Sequence, residues 1–334
     1  MQSPSFSVFS NIVWKYFFTI RAFIQSYNII ELSNFKEFDD GVLIYSPCRD
    51  EKHDILIIYI PNIPLFGNSP FFYVEYLMTL QSLLLLQGFN SPGIFIMKFS
   101  EECKSSTMEY NLSKFIKNYI KLIEDNPNSK IILMGDSIGA TLILNFLSIK
   151  KKIFFNEKII YDVNSINDDI KDPFATILIS PIVKFNETNF VRKSDDFLRQ
   201  QNIDDISILF CSDRNAELFN PCLWKTTEIW EKIVPEGGMV ITFGDQELQN
   251  YEIEEVSKIA YKTRRVKIMK SPNKCHCWQF VSFLTEETQD EKEDSCFLFA
   301  GLISRMALFQ TDAYRDPSIS FEPMNMLTID DKHL

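Results

Sequence analysis

At 334 residues the chain can bury a sizeable core, and 46% hydrophobic against 24% charged residues excludes a disordered polymer. A net charge of -11 with no basic cluster excludes partners held through phosphate charge, nucleic acid first among them. Seven scattered cysteines without a repeated Cys-x-x-Cys pair, and no cleavable signal segment, point away from a disulfide framework or structural zinc and toward reduced thiols in an intracellular setting.

Along the chain, the first predicted element is a helix. Phe9, Ile12, Val13, Tyr16, Phe17, Ile20, Phe23 and Ile24 form one apolar stripe at helical spacing, while Lys15 and Arg21 interrupt any uncharged membrane span. Residues 1–40 are therefore read as a helical cap, or as a helix resting on a membrane surface through residues 9–24. "GVLIYSP" (41–47) predicts an antiparallel strand at a sheet edge, and "ILIIYI" (55–60) a buried strand followed by the helical "FYVEYLMTLQSLLLLQGF". "GIFIMKF" (93–99) precedes the helical "EYNLSKFIKNYIKLIED", and "KIILMGD" (130–136) precedes another helix. "ATILISPIV" (175–183), "GGMVITFGD" (237–245) and "RRVKIMKSP" (264–272) continue the strand series.

Runs this apolar on both faces belong to a parallel sheet covered by helices on each side, so the fold class is α/β, a three-layer sandwich with a mostly parallel sheet. The main domain is placed at 41–318. Residues 184–230 break the strand-helix rhythm and read as a cap insertion, with a helix in "SDDFLRQQNIDDISILF". "EETQDEKED" (286–294) reads as a solvated surface turn, and 319–334 as a loose tail.

The chemistry lies in Gly135-Asp136-Ser137-Ile138-Gly139, a G-x-S-x-G pattern between a strand and a helix. A serine at such a turn sits in strained backbone that tolerates only small neighbours, and the Ile138 amide at the helix start can hold a developing oxyanion. The hydroxyl needs a base. Of the three histidines, His333 lies one residue from the end and His53 precedes the first core strand, whereas His276 comes directly after the last strand and so shares the carboxyl edge of the sheet with Ser137. Serine, acid and histidine come in that chain order in elbow proteins, and the preceding strand is followed by both Asp245 and Glu247. Cys275-His276-Cys277 is not a metal site, because adjacent residues rarely converge on one tetrahedral ion. No metal or cofactor is expected.

These residues resemble the hormone-sensitive-lipase-like branch of the α/β-hydrolase superfamily. "GDSIGA" is similar to its elbow, "ILISPIV" to its strand ending in Ser-Pro, and "FGDQELQNYEI" to its acid motif. Together with "NPCLWKTTEIWEKIVPEGGMVITFGDQE" and the helical N-terminus, these segments look most like fungal steryl acetyl hydrolase-related proteins, over about residues 40 to 312. The resemblance implies an α/β-hydrolase sandwich with helical cap insertions and Glu247 as the catalytic acid, with Asp245 as reserve. It implies a serine carboxylic ester hydrolase acting on a small lipophilic ester, a sterol or lipid acetate, in the cytoplasm or peripherally on the endoplasmic reticulum membrane. Where the branch carries His-Gly-Gly-Gly, this chain has Pro61-Asn62-Ile63-Pro64. Proline has no N–H, which leaves the Asn62 and Ile63 amides, or the Asn62 side chain, as second oxyanion donor. That departure motivates an alternative, a catalytically quiet hydrolase fold that binds a small apolar ligand or a protein partner.

Overall fold

The computed structural model describes residues 34–46, 52–62, 70–99, 108–153, 170–185, 196, 198–210, 219–263, 265–285 and 289–308. The stripe at 9–24 and the tail at 319–334 lie outside the described residues.

In "ILIIYI" the side chains alternate: Leu56, Ile58 and Ile60 enter one apolar layer, while Ile55, Ile57 and Tyr59 enter the other. This period of two, with both sets buried, makes a central strand. Eight strands form one sheet: β1 (Asn34–Phe38), β2 (Gly41–Tyr45), β3 (Ile55–Ile60), β4 (Pro92–Met97), β5 (Lys130–Asp136), β6 (Ala175–Ile179), β7 (Met239–Gly244) and β8 (Val266–Ser271). Their spatial order is β1-β2-β4-β3-β5-β6-β7-β8. β3 to β8 pair in parallel, whereas β2 pairs antiparallel with both β1 and β4.

Two helical layers cover the sheet. On one side lie α2 (Met108–Asp125), α3 (Ile138–Lys150), α5 (Thr227–Ile233) and α6 (Asn250–Tyr261); on the other lie α1 (Phe71–Leu86), α7 (Trp278–Thr285) and α8 (Gln289–Leu308). α2 buries Met108, Leu112, Phe115, Ile116, Tyr119 and Ile123, a stripe at three- and four-residue spacing. α3 is buried along its whole length, as its uniformly apolar sequence requires. The remaining helix, α4 (Gln200–Phe210), lies in the insertion.

Four boundaries differ from the sequence reading. β2 is not the edge strand, because β1 pairs outside it; β1 carries Asn34, Lys36 and Glu37 on an exposed rim and so lacks an apolar pattern. The sheet therefore starts ahead of the expected boundary at 41. The acidic stretch at 286–294 is no surface turn where it is described: from Gln289 it opens α8, and acidic residues suit a helix start. α8 then buries Cys296, Phe299, Ala300, Ile303 and Met306 in the α1 layer. Within the insertion, the helix begins at Gln200 rather than at Ser194, and α5 belongs to the main sandwich, where it buries Trp230.

The layer above the elbow turns on Phe146 of α3, whose ring meets Phe115 at 4.9 Å and Tyr119 at 4.8 Å between centroids. Phe146→Ala removes a fully buried ring at this junction, and urea denaturation should show a loss of about 3–5 kcal/mol. A loss below about 1 kcal/mol would contradict this packing.

Candidate active site

Each chemically interesting segment leaves the sheet at its carboxyl edge: Asn62 after β3, Ser137 after β5, Ser180 after β6, Glu247 after β7 and His276 after β8. Ligands bind open parallel sheets at this edge. Ser137 has φ 53° and ψ -118°, a strained conformation for a residue with a Cβ, and it lies between the last residue of β5 and the first of α3. The turn is pinned by Ser137 N–H donating to the Ile179 carbonyl at 2.8 Å. The flanking glycines are a steric requirement. A Cβ on Gly139 would collide with the Ile60 carbonyl oxygen and come within 3.0 Å of that of Pro61; one on Gly135 would lie 2.8 Å from the same Ile60 oxygen.

The three segments meet. Ser137 Oγ lies 2.9 Å from His276 Nε2, and His276 Nδ1 lies 3.1 Å from Glu247 Oε2. All three side chains are buried. A base within reach of a hydroxyl, itself oriented by a carboxylate, is the geometry of an activated serine nucleophile. Glu247 is held on its other oxygen, where Oε1 accepts from Ser180 Oγ at 2.7 Å and from Gly244 N–H at 2.6 Å. Burial pushes its carboxyl above the usual range, against the pull of His276, Gly244 and Ser180. Burial works to lower His276, but the hydrogen bond and charge of Glu247, with the charges of Asp196 and Asp136, outweigh it and raise the imidazole.

Asp245, the reserve acid, does not reach the histidine. Its Oδ1 accepts from Asn273 N–H at 2.7 Å and from Gln246 Nε2 at 2.9 Å, so it shapes the turn after β8. Asn62 is at the site, but its main-chain amide donates to Asp136 Oδ1 at 3.0 Å and shares a longer 3.2 Å contact with Tyr73 Oη. The expectation of an Asn62 main-chain oxyanion donor is thereby corrected: the prolines left few donors, and this one is turned toward the sheet. Ile138 is the first residue of α3, where amides have no intrahelical acceptor. Ile63 lies outside the described residues, as does His333. His53 sits at the opposite end of the sheet with Nδ1 3.2 Å from the Ser91 carbonyl oxygen. Cys277 buries its thiol 3.7 Å from Asp136 Oδ2, away from half-buried Cys275. Among the described residues no cluster of His, Cys, Asp and Glu could hold a metal ion, and no helix is long and apolar enough to cross a membrane.

Three residues at the site escaped sequence reasoning. Ser180, at φ 46°, bonds Glu247 and also accepts from Cys277 N–H at 2.9 Å, tying the acid to the histidine loop. Its signal was the Ser-Pro that ends β6. Asp196 reaches in from the insertion: Oδ1 accepts from His276 N–H and Oδ2 from Leu248 N–H, both at 3.0 Å. No local pattern marks it, since its partners lie 80 and 52 residues away. Asp136 was visible in the elbow but given no task. It accepts from Tyr59 Oη at 2.6 Å and from Tyr73 Oη at 3.1 Å.

Comparison with known proteins identifies the family and the fold. The steryl acetyl hydrolase family matches residues 76–275, well over half of the chain, from within α1 to the residue before His276. No curated protein matches the chain. Among solved structures, a hormone-sensitive lipase from a metagenome library superposes with a TM-score of 0.60 at 16% identity, covering 91% of this chain and 99% of its own. An esterase of Pyrobaculum calidifontis gives 0.61 at 12% identity, covering 90% and 94%. A fungal esterase from Rhizomucor miehei gives 0.60 at 11% identity, covering 83% of each chain. At these identities the likeness establishes the α/β-hydrolase fold.

The two acids separate cleanly by substitution. Glu247→Gln should lower kcat on an activated ester by roughly 10³–10⁴-fold, as loss of the orienting carboxylate does in other triads. Asp245→Asn should stay within about threefold of wild type. Equal losses from both would contradict the assignment of Glu247.

Proposed function

The chain belongs to the steryl acetyl hydrolase family and is a carboxylic ester hydrolase; we propose that it cleaves a lipophilic ester, a sterol or lipid acetate, through an acyl-enzyme on Ser137. The observation that carries this reading is the continuous hydrogen-bonded line from Ser137 Oγ through His276 to Glu247, at 2.9 and 3.1 Å. Ser137 attacks the ester carbonyl while its proton passes to His276 Nε2. Glu247 fixes the imidazole and stabilises its positive charge, and the Ile138 amide at the start of α3 supports the oxyanion. On collapse, His276 returns the proton to the leaving alcohol. Water, deprotonated by the same nitrogen, then attacks the acyl-enzyme and releases the acid. The family's name supports the acetyl group and the steryl alcohol. The thirty phenylalanines of the chain fit an apolar alcohol better than a sugar or a charged one.

A fluorophosphonate probe should label the wild type and fail to label Ser137→Ala, and acetates of hydrophobic alcohols should turn over well above the Ser137→Ala background. Neither label nor turnover would return the chain to the binding-only alternative. The pH profile has a fixed sign. His276 acts as base only when neutral and its affinity for protons is raised, so kcat/KM should fall as pH drops, with a midpoint above 6.5. A midpoint well below that value would contradict the environment described for His276.

A further inference from the structure

The oxyanion site needs a second donor, and the main chain after β3 does not offer one among the described residues. Pro61 has no N–H, and the Asn62 N–H is engaged by Asp136 and Tyr73. The Asn62 side chain presents the opposite picture. The residue is 1% exposed, yet both Nδ2 and Oδ1 are buried without a hydrogen-bond partner among the described residues. A buried amide with neither end paired is costly in a folded protein, and where it persists it calls for an explanation such as a catalytic role. Its position supplies one. The Ile60 and Pro61 carbonyls lie against Gly139 in the first turn of α3, which sets Asn62 beside the elbow.

We propose that the Asn62 carboxamide is the second oxyanion donor, and that Asp136 is the positioning residue that turns it toward the nucleophile. This rests on the ester hydrolase reading above. Asp136 precedes Ser137 directly and gathers four segments around one carboxylate: Tyr59 of β3, the Asn62 turn, Tyr73 of α1, and Cys277 of the histidine loop. By consuming the Asn62 N–H, Asp136 fixes the peptide and leaves the side chain as the free donor. Four donors on one carboxylate call for its ionised form. Burial raises Asp136, the bonds from Tyr59, Tyr73 and Asn62 and the charge of His276 work against it, and the balance leaves it at about 6, so the ionised form predominates at neutral pH. Tyr59, Tyr73 and Cys277, the other titratable groups facing it, are all pushed upward and stay protonated. The glycine amides of related hydrolases are thus replaced by a side-chain donor on a clamped turn.

The test is a double-substitution cycle on the full chain with an acetate ester, alongside thermal unfolding. Asn62→Ala, and the isosteric Asn62→Asp that lacks a donor, should each lower kcat by about 10²-fold with KM within about threefold. Asp136→Asn should lower kcat similarly, and the double variant Asn62→Ala/Asp136→Asn should be no worse than either alone. If Asp136→Asn folds poorly, Tyr73→Phe, which removes one arm of the clamp, should give a smaller loss that also vanishes in the Asn62→Ala background. Asn62→Ala with kcat within threefold of wild type, or additive losses in the double variant, would overturn the inference. Ser137→Ala, measured in parallel, reports on the ester reading itself. Thermal unfolding applies whatever the turnover: a functional, unpaired amide predicts an Asn62→Ala melting temperature equal to or above wild type. A drop of several degrees would give Asn62 a structural task and overturn the inference.

Discussion

The site depends on one close approach, the end of β3 lying against the first turn of α3. Ile60 pairs with Gly135 in register, and the Ile60 carbonyl occupies the space that side chains at 135 and 139 would need. This contact lets β5 end in a strained turn and still hand its serine to a helix start. It also carries the turn after β3 to the same place. The cost of the strain at Ser137 falls on the surrounding packing: α3 is buried throughout, and the apolar layers above and below it leave the turn no room to relax.

The charges follow from the same burial. Glu247, Asp136 and Asp196 are all buried, and each acts on His276. Three carboxylates in one apolar site are costly to bury without donors. Each is instead met by N–H and O–H groups: Glu247 by distant Ser180 and neighbouring Gly244, Asp136 by Tyr59, Tyr73 and Asn62, Asp196 by the amides of His276 and Leu248. The result favours a proton on the imidazole, which is the state His276 must reach as Ser137 attacks. The same bonds tie the insertion and the loops after β6, β7 and β8 into one unit, so positioning and electrostatics come from the same groups.

Much of this was legible in the sequence, and the limits were physical. Strands β3 and β5 were read to their ends because they are buried on both faces and punctuated by Pro61 and Ser137. The elbow was legible because its glycines answer a steric demand that few other contexts make. Glu247 came from resemblance; spacing alone left it level with Asp245, because both follow β7 and only three-dimensional contact separates them. β1 was invisible because an edge strand with one exposed face carries polar residues where a core strand would alternate. The stretch from Gln289 to Asp294 was misread because an acidic helix start looks like a solvated loop until the apolar face of the helix finds α1. Ser180 showed only as the Ser-Pro after β6, and Asp196 could not be found from local pattern at all, since its partners are brought to it only by the fold.

The most direct measurement is an experimental structure of the chain inactivated by a phosphonate ester, which freezes a tetrahedral centre on the nucleophile. The account predicts phosphorus bonded to Ser137 Oγ, His276 still bridging that oxygen and Glu247, and the phosphoryl oxygen about 3 Å from both the Ile138 amide and Asn62 Nδ2. A phosphonate on any other residue, or Glu247 parted from His276 in the adduct, would contradict it.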